Sequence, residues 1–153
     1  MNINILSIGK FKQNDNYEGL FLEYRKRINW KINIKELVLK KSSLNEEELK
    51  RREGELLLEN RSKNAKLIVL DERGLIITTE AFAEKVLKYQ DDNFDIDFII
   101  GGAIGLSEEV KKQADFMLSF GKMVYPHMLV RVMLIEQIYR VFTIKNNIPY
   151  HKK

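Results

Sequence analysis

The alternation of strand and helix patterns along the chain is the feature that most constrains its fold. Apolar patterns predict strands at residues 2–8, 66–70, 94–100 and 115–119, and an alternating pattern predicts another at 31–39. Helical spacing predicts helices at 17–27 and 128–144. Capping residues predict three more: one from a capping box at 43–46 to about 61, one from a Thr79 cap to about 89, and one at 108–114 after a Ser107 cap. Such a chain is expected to form a mostly parallel α/β sheet covered by helices on both faces.

The 153 residues predict one domain, 1–153, with a core large enough to need no covalent or metal support. The absence of cysteine excludes disulfides, a zinc ribbon and a thiol nucleophile. The N-terminus is interrupted by Asn2 and Asn4, unlike a signal peptide, and no apolar run is long enough to span a membrane. We therefore expect a cytoplasmic protein with no membrane contact.

The net positive charge is concentrated at the C-terminus. Residues 120–153 carry six basic side chains and one acidic one, while the whole chain has a net charge of +4. The remaining 119 residues therefore sum to −1. This segment predicts contact with an anionic partner such as RNA, and the alternative is a solvated basic tail.

The last predicted helix is apolar nearly all round. Twelve of the seventeen residues in 128–144 are Met, Leu, Val, Ile, Tyr or Phe. This composition indicates burial, either in the core or in a subunit interface. Glu136 and Arg140, four residues apart, are expected to pair on its polar edge.

Ligands of parallel α/β sheets bind beyond the carboxyl ends of the strands. This rule selects the loops after Leu70, Ile100 and Ser119. Residues 101–105 (Gly-Gly-Ala-Ile-Gly) suit a close backbone approach to a flat ligand, although a tight turn explains them equally well. Residues 120–127 mix apolar side chains with free backbone groups, which suits an adenine ring.

Few residue types that carry chemistry are present. The sequence has no nucleophile elbow and no P-loop. His127 and His151 are the only histidines, and neither has a carboxylate at ligand spacing, so no metal site is predicted. The terminal residues 149–153 (Pro-Tyr-His-Lys-Lys) suit base stacking and phosphate contact, and the alternative is a frayed end.

Six motifs occur together in a specific order. They are 70–74 (Leu-Asp-Glu-Arg-Gly), 98–106 (Phe-Ile-Ile-Gly-Gly-Ala-Ile-Gly-Leu), 118–123 (Leu-Ser-Phe-Gly-Lys-Met), Pro126-His127 with Arg131, 136–140 (Glu-Gln-Ile-Tyr-Arg) and 149–151 (Pro-Tyr-His). In this order the chain closely resembles, over its whole length, the ribosomal RNA large subunit methyltransferase H family of the SPOUT class.

The resemblance implies a SPOUT α/β knot in which a C-terminal trefoil knot forms the cofactor pocket. It also implies a homodimer that transfers a methyl group from S-adenosyl-L-methionine to N3 of a pseudouridine in 23S rRNA, in the assembled ribosome. By the same resemblance, the cofactor-binding residues are Leu70, Gly101, Phe120, Gly121, Lys122, Met123, Val124 and Tyr125. Relatives often carry threonine where Val124 stands.

A methyl group on a sulfonium is already activated, so the enzyme must mainly position the substrate and remove the N3 proton. The candidate catalytic residues are His127 and His151, with Asp71 as a further possible base. Candidate RNA-binding residues are Arg131, Arg140, Tyr150, Lys152 and Lys153. The alternatives are a SPOUT methyltransferase acting on tRNA and a non-catalytic, ribosome-associated RNA-binding dimer.

Overall fold

The computed structural model describes residues 1–40 and 43–152. Its strands are β1 (Asn2–Ile8), β2 (Lys31–Leu37), β3 (Ala65–Ile76), β4 (Asp95–Ile100) and β5 (Phe116–Ser119). Its helices are α1 (Asn16–Arg25), α2 (Glu46–Glu59), α3 (Thr79–Asp91), α4 (Glu108–Lys112) and α5 (His127–Lys145). The strands form one five-stranded sheet in the order β2-β1-β4-β3-β5, and every pairing is parallel. The predicted α/β class is confirmed.

The two faces of the sheet are covered by different helices. Alternate residues along β4 point to opposite faces, so Phe98 joins the core under α1, α3 and α5, while Ile99 joins a smaller core under α2 and α4. Both of these side chains, Phe98 and Ile99, are fully buried. Burial on both faces explains the unbroken apolar runs 67–70 in β3 and 98–100 in β4.

Two predicted helix caps and one predicted strand end were wrong, whereas the other predicted ends lie within two residues of the observed ones. The N-cap of α2 is Asn45, whose side chain accepts a hydrogen bond from the Glu48 amide, so the box does not begin at Ser43. Thr78 rather than Thr79 caps α3 in the same way, through the Ala81 amide. Both errors are shifts of one or two residues to a side chain of similar capping ability, and only the backbone path distinguishes such residues.

The third wrong boundary is the end of β3. A turn was predicted at 71–74, but β3 runs on to Ile76 and pairs again with β5 after an irregularity between Leu70 and Leu75. Gly74 lies against the backbone of β5: a Cβ there would stand 2.7 Å from the Leu118 carbonyl carbon. Glycine is therefore required where the two backbones cross so closely. The trefoil knot stays a prediction from the resemblance.

Helix α5 lies across the sheet face that α1 and α3 also cover. Leu134, Ile135, Ile138 and Val141 are fully buried there. The predicted pair forms, with Arg140 Nε 2.7 Å from a Glu136 carboxylate oxygen. No helix in the described ranges, 1–40 and 43–152, is long and apolar enough to cross a membrane.

Candidate active site

A cleft of about 710 Å³ opens at the carboxyl ends of β3, β4 and β5. This volume is typical of small-molecule sites. The three loops that the strand-end rule selects all contribute to its walls. Its lining comprises residues 70–73, 100–106, 118, 120, 121 and 123–127, together with Lys50, Lys111 and Val130.

The structure brings most of the predicted cofactor residues together. Leu70, Gly101, Phe120, Gly121, Met123, Val124 and Tyr125 all line this cleft. Lys122 does not line it and is exposed. Met123 and Val124 have exposed fractions of 73% and 85%, so this wall of the cleft is open to solvent.

The glycine loop after β4 is packed against itself. A Cβ on Gly101 would lie 2.9 Å from Leu106 Cγ and 3.2 Å from the Gly105 carbonyl carbon. Gly102 and Gly105 form an antiparallel bridge, and Gly105 has a φ of +79°. Residues 101–105 therefore form a tight turn, which was the alternative explanation for these glycines. The same turn also forms a wall of the cleft.

A single hydroxyl organises the loop after β5. The buried Ser119 Oγ accepts from the Gly121 amide at 3.0 Å, and its hydroxyl has two carbonyl acceptors within hydrogen-bond distance, that of Gly121 at 2.9 Å and that of Glu72 at 3.2 Å. Gly121 has a φ of +123°, which L side chains rarely adopt. Ser119 therefore connects the loop after β5 to the irregular segment of β3, and the two walls are held together.

Two cleft lysines were not anticipated from the sequence. Lys111 Nζ lies 3.3 Å from an Asp71 carboxylate oxygen, and both side chains are largely buried. Lys50 reaches the cleft from α2. Both belong to highly charged helices, where no sequence signal separates a cleft-facing lysine from a solvated one. Asp71, a possible base from the sequence, therefore forms an ion pair with Lys111.

His127 is the first residue of α5 and lines the cleft. Burial, and secondarily the charge of Arg131, hold the pKa of His127 below its usual value of 6.5. The imidazole is therefore neutral at pH 7 and has a lone pair with which to accept a proton.

The predicted RNA contact of Arg131 is not supported by its position. Its side chain is fully buried and donates to the carbonyls of Ile8 and Gly9, at 2.9 and 3.0 Å. It also pairs with Glu36 at 3.1 Å and lies over the Phe11 ring. A guanidinium without solvent exposure has no access to a phosphate, so Arg131 instead fastens the loop after β1 to α5.

The C-terminal residues lie on the far part of α5. The Tyr150 hydroxyl donates to Glu136 at 3.0 Å, and the Tyr150 ring contacts Tyr139. His151 lies 3.2 Å from both Arg140 and Glu80. Lys152 is exposed, and Lys153 lies outside the described residues. Tyr150 and His151 are thus packed on the molecule rather than frayed.

Within one chain, the tail and the cleft are separate. The tail's contacts on α5 begin at Glu136, nine residues after His127. At about 1.5 Å per residue, they lie roughly 14–20 Å from His127 along the helix axis. The structure therefore does not bring His127 and His151 into one site.

Comparison with known proteins agrees with this architecture. A family model described as "Predicted SPOUT methyltransferase" matches residues 1–151. A probable methylase family protein from Haemophilus influenzae has a similar fold, with a TM-score of 0.55 over 95% of this chain and 66% of that one, at 17% identity. The parallel sheet, the cleft at its carboxyl edge and the family match define the chain as a SPOUT methyltransferase.

Two curated relatives narrow the assignment. One from Rhodospirillum centenum is 50% identical over 87% of this chain and 88% of its own length. One from Clostridium botulinum is 43% identical over 99% of this chain and its own full length. Both are named "Ribosomal RNA large subunit methyltransferase H", and the chain belongs to that family.

Proposed function

We propose that the protein methylates N3 of a pseudouridine in large-subunit rRNA, in the assembled ribosome, with S-adenosylmethionine as the methyl donor. The observation that carries this proposal is the cleft built by the three strand-end loops, in a chain whose relatives are named for rRNA methylation. Its volume suits a nucleoside-sized ligand. Apolar Leu70, Phe120 and Met123 provide walls for an adenine ring.

The donor, when bound, supplies a methyl group on a positively charged sulfur. The chain must then hold the acceptor nitrogen in line with that methyl and take up the N3 proton as the N–C bond forms and the S–C bond breaks. We assign proton uptake to His127, because it lines the cleft and its lowered pKa keeps it neutral. Asp71 is held by Lys111 and serves to position that wall.

We propose that two copies assemble through the face formed by α1, α5 and the end of β3. A groove of about 450 Å³ lies there, lined mainly by apolar side chains that include Leu20, Ile76 and Met133. Leu20 and Ile76 have exposed fractions of 49% and 59%. Burying such a surface against a second copy removes apolar area from water.

In this proposal, Tyr150 and His151 of each copy act in the cleft of the other copy. Tyr150 and His151 carry the residue types that stack on a base and bind a phosphate, yet they lie well away from the cleft of their own chain. Tyr150 also contacts Glu136, which lines the groove assigned to the dimer. A dimer formed there would bring each tail near the other copy.

Two measurements test the function. Calorimetry with S-adenosylmethionine should detect binding, and its absence would favour the non-catalytic RNA-binding dimer. Mass spectrometry of rRNA from a deletion strain should show loss of one N3-methylpseudouridine, restored by the wild-type gene. A modification lost from tRNA instead would establish the tRNA methyltransferase alternative.

A further inference from the structure

The densest basic segment of the chain lies far from the cleft. Residues 25–35 contain five basic side chains and no acidic one. The segment covers the last residue of α1, the turn after it and the first part of β2. This segment does not stand out in the net charge of the chain, because the acidic residues of α2 offset its positive charge.

The fold brings one more cation and an aromatic ring to this segment. Trp30 packs edge-on against Phe142 of α5, and Lys145 Nζ lies 5.9 Å from the centre of the Trp30 ring. We call the exposed face formed by Arg25, Lys26, Trp30, Lys31 and Lys145 the Trp30 surface. A shallow depression of about 410 Å³ runs across it, lined by Arg25, Lys26, Trp30 and Lys31.

The positive charge of the Trp30 surface is only partly neutralised. Glu23 pairs with Lys26 at 2.6 Å. None of the ion pairs found in the described part of the chain involves Arg25, Lys31 or Lys145. Arg25 donates to the Ile32 carbonyl, and Lys145 donates to the Gln90 side chain, so both have neutral partners.

A row of stacked rings and cations connects this surface to the tail. Arg27, in the turn after α1, lies over the rings of Tyr24 and Tyr139, at 5.7 and 5.9 Å. Tyr139 contacts Tyr150 with 4.6 Å between ring centres, and Arg140 lies over Tyr150 at 5.0 Å. Aromatic rings beside cations are typical of surfaces that bind nucleic acid, although both arginines of this row also pair with a carboxylate four residues earlier.

We infer that the Trp30 surface binds the phosphate backbone of rRNA and docks the enzyme on the ribosome at a distance from the reaction. This inference rests on the proposed function and adds a second RNA contact to it. The surface lies at the opposite end of α5 from the cleft, roughly 27 Å away for a helix of 19 residues.

The test is the double variant Lys31→Gln with Lys145→Gln. Both lysines are exposed and neither pairs with a carboxylate, so the fold should be unaffected. Each lost phosphate contact should weaken ribosome binding about four- to fivefold at physiological salt and lower the slope of log K against log salt by about 0.7–0.9. The affinity of the variant for S-adenosylmethionine should equal that of the wild type.

The matched control is Lys63→Gln with Lys112→Gln, which removes the same charge from exposed positions on other parts of the molecule. It should bind ribosomes with nearly the wild-type salt slope. Equal slopes and affinities for the wild type and the Lys31/Lys145 variant would overturn the inference while leaving the proposed function intact. Weaker binding with an unchanged slope would also overturn it, in favour of a ribosomal protein contact. If the wild type neither binds nor methylates ribosomes, both proposals fall.

Discussion

At the scale of single residues, Gly101 shows how a backbone position can control the cleft. The expected result of Gly101→Val is a fall in S-adenosylmethionine affinity of about 5- to 150-fold, because the bound conformation must carry an overpacking cost of about 1–3 kcal/mol. The added side chain would clash with Leu106 and displace residues 101–105. Calorimetry on the variant, with circular dichroism to verify the fold, measures the effect.

Gly19→Ala is the control for that variant. A Cβ on Gly19 meets nothing within 4 Å, and the residue lies inside α1. The substitution should leave cofactor affinity unchanged and stabilise the helix by up to ~1 kcal/mol. Native-like cofactor affinity in Gly101→Val would remove the glycine loop from the binding site.

His127 predicts a particular pH dependence. Because the pKa of His127 lies below 6.5 in the folded protein, the neutral base predominates above that pH and is lost as the pH falls through the lowered pKa. Single-turnover methylation should therefore lose activity along an acid limb below pH 6.5. That limb should be missing from the residual activity of His127→Gln, and its persistence there would assign the base elsewhere.

Arg131 is expected to affect stability rather than RNA affinity. Arg131→Met removes the donor to two carbonyls and the partner of Glu36, and should lower the free energy of unfolding by about 3 kcal/mol or more. The exposed Arg51, changed to Met, should lower the free energy of unfolding far less, because solvent screens its ion pairs. Urea denaturation at a fixed protein concentration compares the two, and similar losses would argue against a structural role for Arg131.

At the scale of secondary-structure elements, the tail can be removed separately from the cleft. Deleting residues 150–153 should abolish methylation and leave S-adenosylmethionine binding intact, because the tail contacts α1, α3 and the distal half of α5 rather than the cleft. Methylation of purified ribosomes and calorimetry give the two readouts. Wild-type methylation by the truncated enzyme would exclude the tail from catalysis, whereas loss of cofactor binding would make it part of the pocket.

The phenol of Tyr150 illustrates why this element is ordered. Burial, together with hydrogen bonds to Tyr24 and Glu136, raises its pKa well above the usual value of 10, so it remains a donor at neutral pH. Composition predicted an aromatic, basic terminus but left open whether it was fixed. Its docking depends on Glu136 and Tyr139, which are adjacent to it only because α5 is followed by a tight reversal.

At the scale of the whole molecule, the apolar groove between α1 and α5 predicts a homodimer. The double change Leu20→Lys with Ile76→Lys places two charges on this face and should convert the dimer to a monomer at micromolar concentration. Light scattering measures the mass. The pair Val38→Lys with Ile148→Lys, two exposed apolar residues outside the groove lining, serves as the control and should remain dimeric. A wild-type monomer without aggregation would rule out the proposed assembly.

The sequence alone was sufficient for the α/β class, the boundaries of β1 and the location of the cleft. Strand periodicity is a local property, and the carboxyl edge of a parallel sheet follows from the alternation of elements. The three loops after Leu70, Ile100 and Ser119 could therefore be selected without coordinates. The family resemblance then supplied the chemistry, which no local pattern contains.

Other features were decided only by the tertiary structure. Arg131 and Lys145 are both basic residues of α5, yet one is buried under the loop after β1 and the other is exposed beside Trp30. The continuation of β3 past Gly74 likewise depends on its crossing with β5, more than forty residues later. Burial and long-range pairing are set by which elements meet in space, and helical or strand periodicity carries no information about that meeting.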